Sequence, residues 1–475
     1  MSFSFDSFAG TSSTFPLRGD HPPILLDDDG IWHPRSPRRV RQIHTRYQDI
    51  THIAVSAQAL WIGARSSVYL LSRGNFESFN APENLADKLR ERIRGLPDGE
   101  RRLASMAQID EIGDNAPRPL ATQTLIAVCI LIYLIQMLVG YPVMLAGHYS
   151  PALVADGDVW RILTGNLLHA QGGFFGFVHI TLNLLALMVL GFLVERPLGA
   201  ARTACVMGIS AAGAMLTDGL FGNSMVVGAS GIVFGLAGSI LWLDYRHADA
   251  LPAWWRFPRR SLWIIIGVNI VIGMLIPVIA LAAHIGGLIS GAVATAWVGR
   301  RIFTRPALWI RATCGVLMFA TLLSVGTAGM DVIAEGEAVA RYAARTARLP
   351  EISPDELNNY AWVIAIAPDV TQAELEAALL LAERAVSETQ RSEATILDTL
   401  AEVQFGLGMD TAAVSTIDEA IALDPDETYY HEQRRRFTGA RARRDRPEYL
   451  PPMFRNPGKA SPPAEIESEE FGLRV

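Results

Sequence analysis

The sequence predicts a mainly α, polytopic helical membrane bundle of about seven transmembrane helices, flanked by a small N-terminal α+β domain and a C-terminal α-helical repeat domain. Half of the 475 residues are hydrophobic and the mean hydropathy is +0.24, yet charge is nearly absent only between Leu120 and Met330. On either side of that block the composition is that of soluble protein, so a membrane core between two domains accounts for the length better than one large globule. The domain boundaries read as 1–118, 119–330 and 331–440, with a charged, Pro-containing tail over 441–475 expected to be disordered.

Composition removes several classes of function. A net charge of −7 with scattered arginines leaves no basic stripe for nucleic acid. Cys129, Cys205 and Cys314 all fall in apolar spans without metal-ligand spacing, so neither a disulfide framework nor a zinc site is supported. No metal and no cofactor is expected. Lysine is confined to Lys88 and Lys459 while arginine is abundant, the bias of a GC-rich bacterial genome.

From Met1 to Gln108 the chain is polar and lacks an apolar h-region, so the first domain is expected to stay in the cytoplasm. Residues 1–50 carry turn and loop chemistry, such as Asp27-Asp28-Asp29-Gly30 and His21-Pro22-Pro23. Alternation over Ile50–Leu71 predicts strands around Ile53–Val55, Ala59–Ile62 and Val68–Leu70, with a turn at Gly63-Ala64-Arg65. Glu83–Arg94 then reads as a charged amphipathic helix. Short strands followed by one helix are similar to a pleckstrin-homology-like module, or equally fit an unspecialised soluble cap.

Seven apolar runs follow, over 120–142, 178–195, 201–220, 229–244, 261–276, 282–299 and 307–329, close to the roughly 17 to 25 residues a bilayer requires. The fifth and sixth are one long run, divided near Pro277. Arginines cluster before the first span and in the loops after the second, fourth and sixth (Arg196, Arg202, Arg246, Arg256, Arg259, Arg260, Arg300, Arg301, Arg305), while the alternate loops hold little beyond Arg161. The positive-inside rule then places the N-terminus in the cytoplasm and everything after Met330 outside, in the periplasm of a bacterial inner membrane.

That topology sends the second, fourth and sixth spans from outside to inside. His179 and Asn183 open the second, Ser230 the fourth and His284 the sixth, so four polar groups from three distant segments share one shallow outer layer. A serine hydroxyl is a poor nucleophile at neutral pH and needs a base within hydrogen-bond reach. His284 supplies an imidazole suited to that task. No acidic residue reads as belonging to the same layer, which predicts a Ser-His dyad rather than a triad. Gly231 and Gly235 on the fourth span, with Gly287 and Gly291 on the sixth, are small residues at the spacing that lets membrane helices approach. His179 and Asn183, one helical turn apart, and the amides around Ser230 at a helix N-terminus are candidate oxyanion donors.

Each residue has a plainer alternative. A serine between glycines serves packing in most membrane helices, Asn183 alone is helix–helix glue, and an intramembrane histidine also suits a proton relay. Taken together the residues resemble the rhomboid family of intramembrane serine proteases over Leu120–Gly299. The shared pattern is Trp160-Arg161, His179-Ile180-Thr181-Leu182-Asn183 with Glu195 and Gly199, Gly228-Ala229-Ser230-Gly231, and Ala283-His284 with Gly287 and Gly291. The resemblance implies Ser230 as nucleophile, His284 as its base, and His179, Asn183 and the Ser230 amide as the oxyanion hole. It also implies that Phe234 packs on the histidine, where an ordinary lipid- or core-facing phenylalanine is the alternative. The stretch from His169 to His179, with Gly172-Gly173-Phe174-Phe175-Gly176, is longer than the family's, which leaves the first-loop geometry and the part played by His169 open.

Beyond Met330, Ala401, Gly408, Ala413, Ile417, Ala420 and Pro425 fall at the spacings of a tetratricopeptide repeat, and Leu357–Val386 resembles a degenerate preceding copy. This predicts a helical array with a peptide or protein partner, or a plain helical hairpin domain. The chain thus reads as a serine protease of the bilayer cleaving transmembrane or membrane-proximal protein substrates through an acyl-enzyme. The alternative is a catalytically inactive rhomboid-like protein that binds membrane proteins or acts as a scaffold through its repeat domain.

Overall fold

The computed structural model describes residues 13–19, 21–34, 42–64, 67–115, 118–170, 173–221, 225–252, 255–275, 280–333, 343–350, 352–367 and 370–439. The tail expected to be disordered lies outside them. The chain divides into two compact units, Met1–Ala338 and Val339–Val475.

The first unit opens with two antiparallel sheets. Strands β1 (Ser13–Phe15), β2 (Ile24–Leu26), β3 (Gly30–Pro34) and β4 (Gln42–Arg46) form one in chain order, and β5 (Ile50–Val55), β6 (Ala59–Ala64) and β7 (Ser67–Ser72) form the other. The first sheet corrects the loop reading of residues 1–50. Strands of three to five residues are too short to show a period of two, and only pairing with neighbours reveals them. The turn chemistry itself sits in the β2–β3 hairpin, where Asp27 Oδ1 accepts the amides of Asp29 and Gly30 at 3.0 and 2.7 Å. Gly63 and Ala64, read as a turn, end β6 instead.

Helix α1 (Ala81–Arg94) buries Leu85, Leu89 and Ile93 at helical spacing in a core that includes Ile24, Leu26 and Ile31 of the first sheet and Ile50, Leu60 and Ile62 of the second. A further helix, α2 (Gly99–Asp114), follows, and its Arg102 donates to the carbonyls of Gln48 and Ile50, each at 2.8 Å.

The membrane part comprises α3 (Leu120–Val139), three short helices α4 (Tyr141–Gly147), α5 (Pro151–Ala155) and α6 (Arg161–Thr164), then α7 (Gly173–Leu198), α8 (Ala200–Phe221), α9 (Ser230–His247), α10 (Arg259–Leu275), α11 (Leu281–Val298) and α12 (Leu308–Ile333). Five of these, α3, α7, α8, α11 and α12, are long and apolar enough to cross a bilayer. The other two of the seven expected spans are shorter in apolar length: α9 is 18 residues and ends on Asp244, Arg246 and His247, and α10 is 17 residues. The chain is a multi-pass membrane protein. Helix α7 starts at Gly173, ahead of the boundary at 178 read from sequence, because Phe174, Phe175 and Phe177 continue its apolar surface outward.

Several helix ends are satisfied by side chains from other helices. Pro119, which precedes α3, has no capping side chain, and Glu195 of α7 accepts the amides of Ala121 and Thr122, both at 2.8 Å, and the Thr122 hydroxyl at 2.7 Å. Helices α8, α9 and α11 pack most closely. The backbones of α9 and α11 touch: a Cβ added at Gly287 would collide with the carbonyl of Gly231, and one at Gly291 with the backbone of Gly235. Such glycine contacts replace the hydrophobic drive that lipid does not provide.

The second unit contains α13 (Pro354–Ala365), α14 (Gln372–Glu388), α15 (Ala394–Gly406), α16 (Asp410–Leu423) and α17 (Thr428–Thr438), consecutive helices packing in pairs. Ser353 caps α13, and Thr371 with Glu374 forms a capping box on α14. Of the repeat positions singled out in the sequence, Ala401, Ala413, Ile417 and Ala420 are fully buried, whereas Gly408 and Pro425 are exposed. Arg436 is buried in an ion pair with Glu402, which also accepts from Gln433 at 3.0 Å.

Candidate active site

Ser230 is the first residue of α9, and His284 lies in the first turn of α11. The glycine contacts hold these helices at backbone distance, and the two side chains meet at the end of that seam. His284 Nε2 lies 2.8 Å from Ser230 Oγ, within ordinary hydrogen-bond length. Among the described residues no group bonds the buried Nδ1 of His284, so the pair has no third member holding the ring. Orientation comes from packing instead. The Phe234 ring, one turn after Ser230, stacks on the imidazole with centroids 4.3 Å apart and planes 12° from parallel.

His179 faces the same point from α7. A Cβ at Gly228 would lie 2.9 Å from both Cε1 and Nε2 of the His179 ring and 4.0 Å from Ser230 Oγ. Gly228 also has φ +123°, a conformation that L side chains rarely adopt, so both its backbone and its close approach call for glycine. His179 Nδ1 accepts the amide of Ala170 at 3.3 Å. A neutral ring that accepts at Nδ1 carries its proton on Nε2, which leaves a donor on the side of Gly228 and Ser230. His169, the residue left open by the sequence, is fully buried with its ring 5.4 Å from that of His179. Its backbone is held by Gln136, whose amide donates to its carbonyl at 2.9 Å and accepts its N–H at 3.1 Å. Asn183 sits one turn below His179 and is nearly buried, with its amide donating to the His179 carbonyl at 2.9 Å rather than to Ser230.

The loop before α7 braces the segment ahead of Ser230. Arg161 is fully buried, paired to Asp158 at 3.0 Å and donating to the carbonyls of Leu145 and His148, both at 2.9 Å. Trp160 Nε1 donates to Ala146 at 3.2 Å. From this loop, Tyr149 exchanges two backbone hydrogen bonds of 3.0 Å with Val226, and Gly165 accepts the Gly228 amide at 2.9 Å. The Trp160-Arg161 pair therefore sets the loop that sets Gly228. Ala229, which precedes α9, offers no capping side chain, so the first amides of α9 have no local side-chain acceptor.

Sequence reasoning missed Asp218. It is buried in the last turn of α8, beside Thr217, which abuts Gly286 of α11. An acidic residue inside an apolar span was itself the available signal.

Comparison with known sequences falls on the same segment. Residues 156–301 match the Rhomboid domain, a stretch that contains His179, Asn183, Ser230 and His284. The chain is 34% identical over 179 residues to Rhomboid protease GlpG of Enterobacter sp. (strain 638), which covers 36% of this chain and 60% of that protein. It is 31% identical over 153 residues to Rhomboid protease GluP of Bacillus subtilis (strain 168), covering 32% and 29% respectively. It is 32% identical over 145 residues to the mitochondrial RHOMBOID-like protein 6 of Arabidopsis thaliana, covering 29% and 43%. The similarity thus spans less than two thirds of each relative's length and falls on the membrane core.

Proposed function

We propose that this chain is an intramembrane serine protease of rhomboid type, acting on transmembrane or membrane-proximal protein substrates. The observation that carries the reading is the 2.8 Å contact between Ser230 Oγ and His284 Nε2. In this mechanism Nε2 takes the hydroxyl proton as Oγ attacks the scissile carbonyl carbon. His179 Nε2–H and the Ser230 amide stabilise the oxyanion, and Asn183 joins them by turning its amide from the His179 carbonyl. Collapse of the tetrahedral intermediate expels the amine, which takes the proton from His284 and leaves an acyl-Ser230. Water, deprotonated by the same imidazole, releases the acid. Substrate backbone must unwind before a carbonyl can reach Oγ, so helix-destabilising segments are preferred.

The arginine distribution supports seven spans in a bacterial inner membrane, with the sheet domain cytoplasmic and the site opening to the periplasm. Helices α13 to α17 of the second unit are read as a tetratricopeptide-like array that binds a peptide or protein partner, from the buried Ala401, Ala413, Ile417 and Ala420 at repeat spacing.

The test is cleavage of a labelled transmembrane peptide in proteoliposomes by wild type, Ser230→Ala and His284→Ala, with fluorophosphonate labelling of the same proteins. Cleavage and labelling should vanish in the first variant. In the second, kcat should fall by about 10²- to 10⁴-fold. A wild type that neither cleaves nor labels supports the catalytically inactive alternative, and cleavage retained by Ser230→Ala removes that residue from the mechanism.

A further inference from the structure

Three helices are tied together at the end of the bundle opposite Ser230. Arg259, in the first turn of α10, pairs with Asp244 of α9 through Nη2 at 2.6 Å. His247, the last residue of α9, donates from Nε2 to the Gly299 carbonyl just after α11 at 2.9 Å. Beyond these ties α10 packs sparsely against either helix, and an apolar groove of about 410 Å³ lies between the three. Its floor is the contact of α9 with α11, where a Cβ at Gly238 would collide with the Leu288 carbonyl. Trp242 and Tyr245 of α9, Trp263 of α10, and Ala292 and Val293 of α11 form its walls. The groove is open on the side away from the bundle, since Tyr245 is 79%, Trp263 53% and Val293 63% exposed. From Gly238 to Tyr245 it runs about 10 Å along α9, within the roughly 15 Å depth of one leaflet.

The rim of this apolar groove is positively charged. Arg246 follows Trp242 by four residues and Arg260 precedes Trp263 by three, spacings that put each guanidinium on the helix face of the neighbouring ring. Arg300 follows Gly299 at the end of α11. All three are exposed, and their guanidinium groups have no hydrogen bond or ion pair among the described residues. The single carboxylate of Asp244 serves both Arg256 and Arg259, which leaves the rim with further positive charge. Tryptophan and tyrosine favour the depth of lipid head groups, with an apolar body and a polar tip. Arginine suits phosphate through its planar fork of donors. Basic pockets between membrane helices hold anionic head groups on this principle.

We infer that the groove between α9, α10 and α11 is a binding site for an anionic phospholipid. One acyl chain lies along the trough, and the head-group phosphate rests among Arg246, Arg260 and Arg300. A zwitterionic lipid fills the same trough, but its own cation offsets the gain from the rim, so head-group charge decides the preference. The inference concerns the membrane part alone and does not rest on the protease reading.

The experiment uses the full chain in phosphatidylcholine vesicles containing a small fraction of phosphatidylglycerol with a photoactivatable acyl chain, or of phosphatidylcholine carrying the same chain. Adducts on peptides covering 238–245 and 288–293 are measured relative to those on 316–323 of α12, where Val316, Phe319 and Leu322 are exposed and serve as an ordinary lipid-facing surface. In wild type this ratio should favour phosphatidylglycerol on the order of 10²-fold, about fivefold for each of three arginines. Arg246→Gln should lower the preference about fivefold, and Arg246→Gln with Arg260→Gln roughly 25-fold. Ala292→Phe, which fills the trough, should reduce groove adducts of both lipids while α12 labelling stays. Equal ratios for the two lipids would mean an unselective lipid-facing surface and overturn the proposal. An absence of groove adducts with either lipid, as when a protein segment covers the trough, does the same. So does a preference that survives the double arginine variant, a result that stands even where Ala292→Phe fails to fold.

Discussion

At the residue scale, the imidazole of His284 is held by a ring and a hydroxyl rather than by a carboxylate. The Phe234 face at 4.3 Å supplies the restraint that an acid supplies in a triad. Aromatic contacts of this kind contribute about 0.5–1.5 kcal/mol. Phe234→Ala should therefore lower kcat by roughly 3- to 10-fold with little change in KM. Steady-state kinetics in liposomes checks this, and an unchanged kcat would make Phe234 a bystander. Ser230 and His284 were legible from the glycine-flanked motifs of two apolar spans, whereas Phe234 was marked only by the family resemblance, with a lipid- or core-facing ring as the alternative. Asp218 was not, because its burial exists only once α8 has packed against α11.

At the element scale, the site depends on how closely α9 and α11 approach. Gly231, next to Ser230, and Gly287, one turn after His284, meet backbone to backbone. A branched side chain there must separate the helices, and a misplacement of about 1 Å between reacting groups costs on the order of 10²-fold in rate. Gly287→Val should therefore abolish fluorophosphonate labelling to about that extent while circular dichroism retains the helical signal. Labelling at the wild-type rate would show that the seam yields without moving Ser230 from His284. The long helices were legible from apolar length alone, whereas β1 to β4 were not. Segments of three to five residues carry no readable period, and burial against α1 is what makes Ile24, Leu26 and Ile31 a core. The start of α7 was misplaced for a related reason, since glycines among phenylalanines read as a loop until lipid is taken as their surroundings.

At the scale of the whole molecule, a buried arginine links the sheet domain to the membrane part. Arg256 pairs with Asp244 of α9 through Nη2 at 2.9 Å and donates from Nη1 to the Ala64 carbonyl of β6 at 3.0 Å. Behind it lies His52, and on the first sheet His33 bonds Thr45 Oγ1 at 2.9 Å. Burial pushes both imidazoles down from 6.5 to about 4, with the positive charge of Arg256 adding to the effect at His52 and that of His44 at His33. Between those values the unfolded chain binds protons that the folded domain does not. Stability is therefore full above about pH 6.5, falls as the pH drops towards 4, and levels off below it. The loss is on the order of 3 kcal/mol per ring. Hydrogen exchange of β3 to β6 in the full chain, corrected for its intrinsic pH dependence, should show this decline, and His33→Gln should flatten part of it. A flat profile between pH 6.5 and 4.5 would contradict the assignment.

The sequence by itself determined the apolar block, the order of the segments and the chemical types at positions 179, 183, 230 and 284, because hydropathy and motif spacing are local properties of the chain. Only the tertiary structure decided that the Ser230 hydroxyl faces His284, that Asn183 turns to a backbone carbonyl, that Asp218 is buried, and that β1 to β4 are strands. Apart from the Asn183 bond, which closes a single helical turn, each depends on another segment of the chain, and a hydrogen bond or a buried face exists only once packing has brought that segment within a few ångströms.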